Sequence, residues 1–115
     1  MAEKRIAIPV AEKRLALHFG HCQEFALVDV DDQANTIVNT AYVPAPPHQP
    51  GLLPRWLHEQ GVHVIIAGGM GQRAQGLFLQ AGIDVVVGAA SGVPEQVVRA
   101  YLEGMLETGE NLCDH

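Results

Sequence analysis

Cys22 and Cys113 are the only two thiols in a chain of 115 residues. That is too few for a disulfide-stapled scaffold, and both are expected to stay reduced in the cytosol. Aromatic side chains make up only 5% of the chain, and basic residues are scarce: 7 Lys and Arg face 13 Asp and Glu, for a formal charge of −6. No basic cluster offsets that balance, so a nucleic-acid partner is not expected. Hydrophobic residues reach 48%, yet they fall in short runs broken by Gly and Pro, and none is long enough to cross a bilayer. The start, Met1-Ala2-Glu3-Lys4-Arg5, runs directly into a short apolar segment with no long hydrophobic region or cleavage site, so the expected location is the cytoplasm. The length suits one domain and leaves no room for a second.

The first half of the chain reads as strands. Arg5 to Val10, Glu24 to Val30 and Thr36 to Val43 are short runs rich in β-branched or aromatic residues. Asp31-Asp32-Gln33-Ala34-Asn35 supplies turn formers between the second and third, which predicts an antiparallel hairpin. Pro9 has no N–H to give a ladder, so the first strand is expected to lose its pairing there. From residue 50 the period changes. Leu52, Leu53, Trp56 and Leu57 predict a helix over 51–60, stopped by Gly61. Val62 to Ala67 then reads as a strand covered on both faces, feeding Gly68-Gly69-Met70-Gly71. Ala74, Leu77, Phe78 and Ala81 mark a second helix, and Ile83 to Val87 a fifth strand. Pro94 opens a last helix whose stripe runs through Val97, Val98, Tyr101, Leu102, Met105 and Leu106 to a stop at Gly109. The fold class is therefore α/β: a single mixed five-stranded sheet in the order βββαβαβα with helices on both faces. The domain is placed at residues 1–108, followed by a Cys- and His-bearing tail at 109–115.

His18-Phe19-Gly20 after the first strand, Gly68-Gly69-Met70-Gly71 after the fourth, and Gly109-Glu110-Asn111-Leu112-Cys113-Asp114-His115 at the end together resemble the dinitrogenase iron-molybdenum cofactor biosynthesis family. His48-Gln49-Pro50-Gly51-Leu52-Leu53-Pro54-Arg55-Trp56-Leu57 is similar to a segment of its stand-alone, single-domain members. The likeness covers almost the whole chain. It implies a ribonuclease H-like sheet and the binding or carriage of an iron-sulfur or iron-molybdenum cluster.

If the first, third, fourth and fifth strands are parallel and the second antiparallel, their following loops share one edge of the sheet, where ligands of open α/β sheets bind. That edge would gather His18, His21, Cys22, His48, Gly68 to Gly71 and Gly88 to Gly92. His18, His21 and Cys22 stand at i, i+3 and i+4, so a helical turn would aim all three to one side as soft ligands for zinc, copper or iron. The alternative is an irregular loop around Gly20, with His18 bonded to backbone and Cys22 a small buried hydrophobe. Cys113 and His115 point the same way from an extended backbone, whereas the bland reading is a frayed end. A helix running to Gly109 is about 20 Å long, while the four steps from Gly109 to Cys113 reach about 13 Å. The tail would therefore act near mid-sheet or on a second subunit, which makes a homodimer attractive.

Gly69-Met70-Gly71-Gln72-Arg73-Ala74 also fits the G-x-G-x-x-A dinucleotide pattern. The acidic residue that should end the next strand instead begins it, as Asp84, and too little chain remains for a dinucleotide domain. The same amides suit the sulfides of an anionic cluster, with Arg73 adding positive charge. Ile6-Ala7-Ile8-Pro9-Val10 carries no carboxylate for a nuclease metal site, and His21 beside Cys22 has no orienting third group. The expectation is a non-catalytic carrier of an iron-sulfur or iron-molybdenum-type cluster, held by His18, His21, Cys22, His48, Cys113 and His115 near Gly68, Gly69, Met70, Gly71 and Arg73. A cluster donor or acceptor protein would be its partner. A zinc or other single-ion accessory protein is the alternative, and a small nucleotide-binding enzyme ranks last.

Overall fold

The structure, a computed structural model, describes residues 3–12, 14–15, 23–31, 33–46, 52–89 and 92–104. The strands are β1 (Glu3–Ala11), β2 (Arg14–Leu15), β3 (Glu24–Asp31), β4 (Thr36–Pro44), β5 (Val64–Ile66) and β6 (Asp84–Val86), and the helices are α1 (Leu52–Glu59), α2 (Gln72–Gln80) and α3 (Pro94–Leu102). Six strands replace the five expected, because β2 is only two residues long and too short to carry a period. Glu12, at φ 54°, turns the chain back, and Val10 and Ala11 pair with Leu15 and Arg14.

The main sheet runs β4-β3-β1-β5-β6, with β2 attached to β1. β3 is antiparallel to both β1 and β4, while β5 is parallel to β1 and β6 to β5. β1, β4, β5 and β6 thus point one way, as expected, and their following segments leave from one edge. The hairpin between β3 and β4 also forms where the turn residues predict it. Asp31 Oδ1 accepts from the amides of Gln33 (3.0 Å) and Ala34 (3.2 Å), and Asn35 takes φ 54°. Small polar side chains stabilise such turns by bonding the backbone just ahead of them.

Pro9 does not end the first strand. Pairing with β3 continues through Pro9–Phe25 to Val10–Glu24, whereas pairing with β5 covers only Ile6 and Ala7. An antiparallel ladder alternates hydrogen-bonded and non-bonded pairs. Proline fits the second kind, its missing N–H turned to the side that β5 has already left. The last helix also differs from the expectation. α3 closes at Leu102, Glu103 is its C-cap, and Gly104 follows at φ 71° with its amide on the Tyr101 carbonyl (3.1 Å). A left-handed residue there is the usual helix terminator, so the stop is Gly104 and not Gly109. Met105, Leu106 and the 109–115 tail lie outside the described residues.

Strand alternation divides the core in two. Ile6, Ile8, Val10, Ala26, Val28, Val30, Val64 and Ile66 face α3, where Val97 and Val98 cover them. Ala7, Phe25, Leu27 and Ile65 face the other way, under Leu53 and Leu57 of α1 and Phe78 of α2. Phe25 meets Trp56 of α1 in a tilted ring pair with centroids 5.8 Å apart. Helices therefore pack on both faces, as expected.

Polar closure sits at the far edge, where the parallel strands begin. Arg5 donates from Nε to Asp29 (2.6 Å) and from Nη1 to the Gln60 carbonyl. Its backbone amide bonds His63 Nδ1 (3.1 Å), while the His63 amide returns to the Arg5 carbonyl (2.9 Å). The hydrogen bond to Asp29 holds the Arg5 guanidinium above its ordinary value, against partial burial. Asp29→Asn should cost only about 0.5–1 kcal/mol, since the pair is partly exposed and the Gln60 bond survives. Phe78→Ala, by contrast, removes a fully buried ring and should cost about 3–5 kcal/mol. Urea unfolding midpoints at constant slope measure both.

Candidate functional site

The edge where β1, β4, β5 and β6 end is held by backbone bonds that continue past the strands. The Ala67 amide bonds the Val86 carbonyl (2.8 Å), Gly88 bonds Gly68 (2.7 Å) and Ala89 bonds Ala67 (3.2 Å), so the segments after β5 and β6 stay zipped together. β2 joins the same edge through the Leu15 amide on the Gly92 carbonyl (2.8 Å), just before α3. On the other side, Gln23 bonds Val10 (2.8 Å) and Ala45 bonds Gln23 (3.1 Å). The ends of β1, β3 and β4 are thereby tied in a row.

Within this edge, Gly68, Gly69 and Met70 are buried, whereas Gly71 is partly open and Arg73 exposed. Met70 places its side chain in the α1–α2 core, fully buried beside Phe78 and Leu57, so only its backbone is offered to the loop. Gln75 donates from Nε2 to the Met70 carbonyl (2.8 Å), pinning the loop to the second turn of α2. Nothing in the residue pattern signals this bond, because a lone glutamine on a helix reads as a solvated side chain.

Gly71 is the N-cap of α2, at φ −65° and ψ 155°, with no side-chain cap. Any residue tolerates that conformation, and a Cβ added there would meet nothing within 4 Å. The fold itself does not require glycine at 71. The space beside it lies next to the first amides of α2, which by helix geometry have no partners inside the helix. No acidic side chain stands in that first turn, so the helix dipole and Arg73 give this corner positive character. It is chemically suited to an anionic group approached by backbone N–H.

His18, His21, Cys22, His48, Cys113 and His115, the six proposed metal ligands, lie outside the described residues. Among the described residues no group of three or more His, Cys, Asp or Glu side chains is placed to hold a metal ion. Asp84 opens β6 and is exposed, which leaves the dinucleotide pattern without its acidic partner. Among the described residues no helix is long and apolar enough to cross a membrane.

Residues 3–104 match the family model described as dinitrogenase iron-molybdenum cofactor. The chain belongs to that family. A relative from Methanocaldococcus jannaschii, the uncharacterized protein MJ0580, is 33% identical over 111 residues, which span 92% of each chain. The crystal structure of PH0822 superposes with a TM-score of 0.84 at 29% identity, covering 93% of this chain and 96% of that one. The apo form of the orange protein from Desulfovibrio gigas shares the fold at a TM-score of 0.69 and 24% identity, over 94% of each chain. Membership in the dinitrogenase iron-molybdenum cofactor family agrees with the resemblance carried by the His-Phe-Gly, glycine-loop and tail motifs, and links the chain to cofactor-associated proteins.

Two glycines separate the demands of the fold from those of a ligand. Gly71→Ala should change stability by no more than about 0.5 kcal/mol. Gly82→Ala, at φ 82°, should cost about 1 kcal/mol because a side chain there enters the left-handed region. Thermal unfolding of the two variants side by side checks the contrast.

Proposed function

We propose that this protein is a non-catalytic carrier of an iron-sulfur or iron-molybdenum-type cluster, loaded and unloaded by a donor or acceptor protein in the cytoplasm. The observation that carries this reading is the corner at Gly71. An open N-terminal turn of α2, free of acidic side chains and flanked by exposed Arg73, stands at the edge where four parallel strands end. Family membership supports an iron-molybdenum-type cargo. In this reading Gly68, Gly69, Met70 and Gly71 offer backbone, Arg73 offers charge, and amides bond the sulfides. His18, His21, Cys22, His48, Cys113 and His115 supply the soft donors that iron requires. The order of strands and helices suits a ribonuclease H-like arrangement. The absence of carboxylates from Ile6 to Val10 in β1 supports carriage over hydrolysis.

Anaerobic reconstitution with ferrous iron and sulfide, read by visible absorbance and by iron and sulfide content, tests the proposal. Wild type should take up cluster, and Cys113→Ala and Cys22→Ala should each lower the yield. Gly71→Val should stay folded but hold less cluster, because a side chain there occupies space that the fold leaves empty. If wild type binds zinc stoichiometrically and no iron-sulfide chromophore forms, the protein is a single-ion accessory protein instead. Unchanged uptake in all three variants would reject this site.

A further inference from the structure

Gln75 holds two successive carbonyls. Its backbone amide bonds the Gly71 carbonyl (3.1 Å), the first rung of α2, and its side-chain Nε2 donates to the Met70 carbonyl (2.8 Å). The peptide unit between Met70 and Gly71 is planar and trans, so its N–H points opposite to its C=O. A Met70 carbonyl drawn toward the second turn of α2 therefore turns the Gly71 amide outward, into the open space beside the start of the helix. Among the described residues nothing accepts a hydrogen bond from that amide.

Both ends of this peptide unit are held, Met70 by a fully buried side chain and Gly71 by its place as the N-cap of α2. The unit can reverse only by rotating in place, which changes ψ of Met70 and φ of Gly71 by about 180° and leaves the flanking chain where it is. Gly71 stands at φ −65° and ψ 155°, a conformation open to any residue. Reversal carries it to φ about 115° at the same ψ, a region that glycine alone enters freely. A Cβ at position 71 would meet nothing within 4 Å, so neither crowding nor the observed backbone calls for glycine there. The reversed state does call for it.

We propose that the Met70–Gly71 peptide is a two-state switch latched by the Gln75 side chain, with an amide outward when latched and the Met70 carbonyl outward when released. The latched state favours an anion beside Gly71 and the released state repels it, so the corner has one form that holds anionic cargo and one that lets it go. That use rests on the carrier reading above, whereas the switch itself does not. Gln75 is in these terms a positioning residue, acting through the Gly71 amide.

Nuclear magnetic resonance on the unloaded, isotope-labelled full chain tests this, reading the direction of the residue 71 N–H from its residual dipolar coupling and the minor state from relaxation dispersion. Gln75→Met keeps the side-chain length without a donor, and Gln75→Ala, the second variant, keeps helix propensity. Each should raise the released population roughly fivefold, the worth of one hydrogen bond, with circular dichroism unchanged. Adding Gly71→Ala to either should return the amide to the latched direction, because alanine disfavours the released backbone. A bond that only stabilised α2 would not be rescued in this way. An amide direction and exchange unchanged in both Gln75 variants overturns the proposal, and so does a released state that persists with alanine at position 71. In protein loaded with an iron-sulfide cluster, Gln75→Met should also lose cluster to a chelator roughly fivefold faster than wild type. A wild type that takes up no cluster sinks the carrier reading alone, and the dipolar couplings still decide the switch.

Discussion

Everything in this molecule hangs on β1 lying in the middle of the sheet with Ile6 to Val10 removed from water. One neighbour, β3, is antiparallel and reached after a short excursion through β2. The other, β5, is parallel and reached only after the hairpin strand β4 and α1. A parallel neighbour needs a crossover, and the crossover places helices on the faces. Burial on both faces follows, and it explains why β1 and β5 read as continuous apolar runs while β4, at the rim, stays largely exposed. The same centrality makes the two cores interdependent. Ile6, Ile8 and Val10 contribute to one cluster and Ala7 to the other, so neither face can loosen without disturbing the strand they share.

The two ends of the sheet have different chemistry. Where the parallel strands begin, Arg5, Asp29, His63 and the Gln60 carbonyl satisfy one another. Where they end, the described residues close the edge with backbone: glycines, main-chain zippers and the opening turn of α2. That division follows from the composition of the loops, since small residues allow close backbone approach.

Much of this was legible in the sequence, for identifiable reasons. Burial period fixed the two helices before Gly61 and Gly82, and the turn chemistry of Asp31 to Asn35 fixed the hairpin. The sense of the strands, a premise in placing the loop edge, is the one the ladders adopt. β2 was not legible, because two residues carry no period and their pairing depends on Glu12 turning the chain. Pro9 misled because its effect depends on the side to which its missing N–H is directed, which only the register reveals. The last helix was drawn too long because its apolar stripe continues to Leu106, whereas a left-handed Gly104 stops it sooner. At the site, the sequence located Gly68 to Gly71 and Arg73 at the loop edge. It did not show that Met70 is a core side chain or that Gln75 ties the loop down, since both depend on packing between distant segments.

The bond from Gln75 to the Met70 carbonyl has a mechanical meaning. It ties the glycine loop to the start of α2, so a shift of the loop away from the helix would break it. Further along that helix, Leu77 and Gln80, with Ala81 at its end, form one wall of a hollow of about 410 Å³ whose other wall is Pro54, Arg55 and His58 of α1. The same helix thus borders the glycine loop with its first turn and this hollow with its last, so the two surfaces are joined by α2 although they share no side chain.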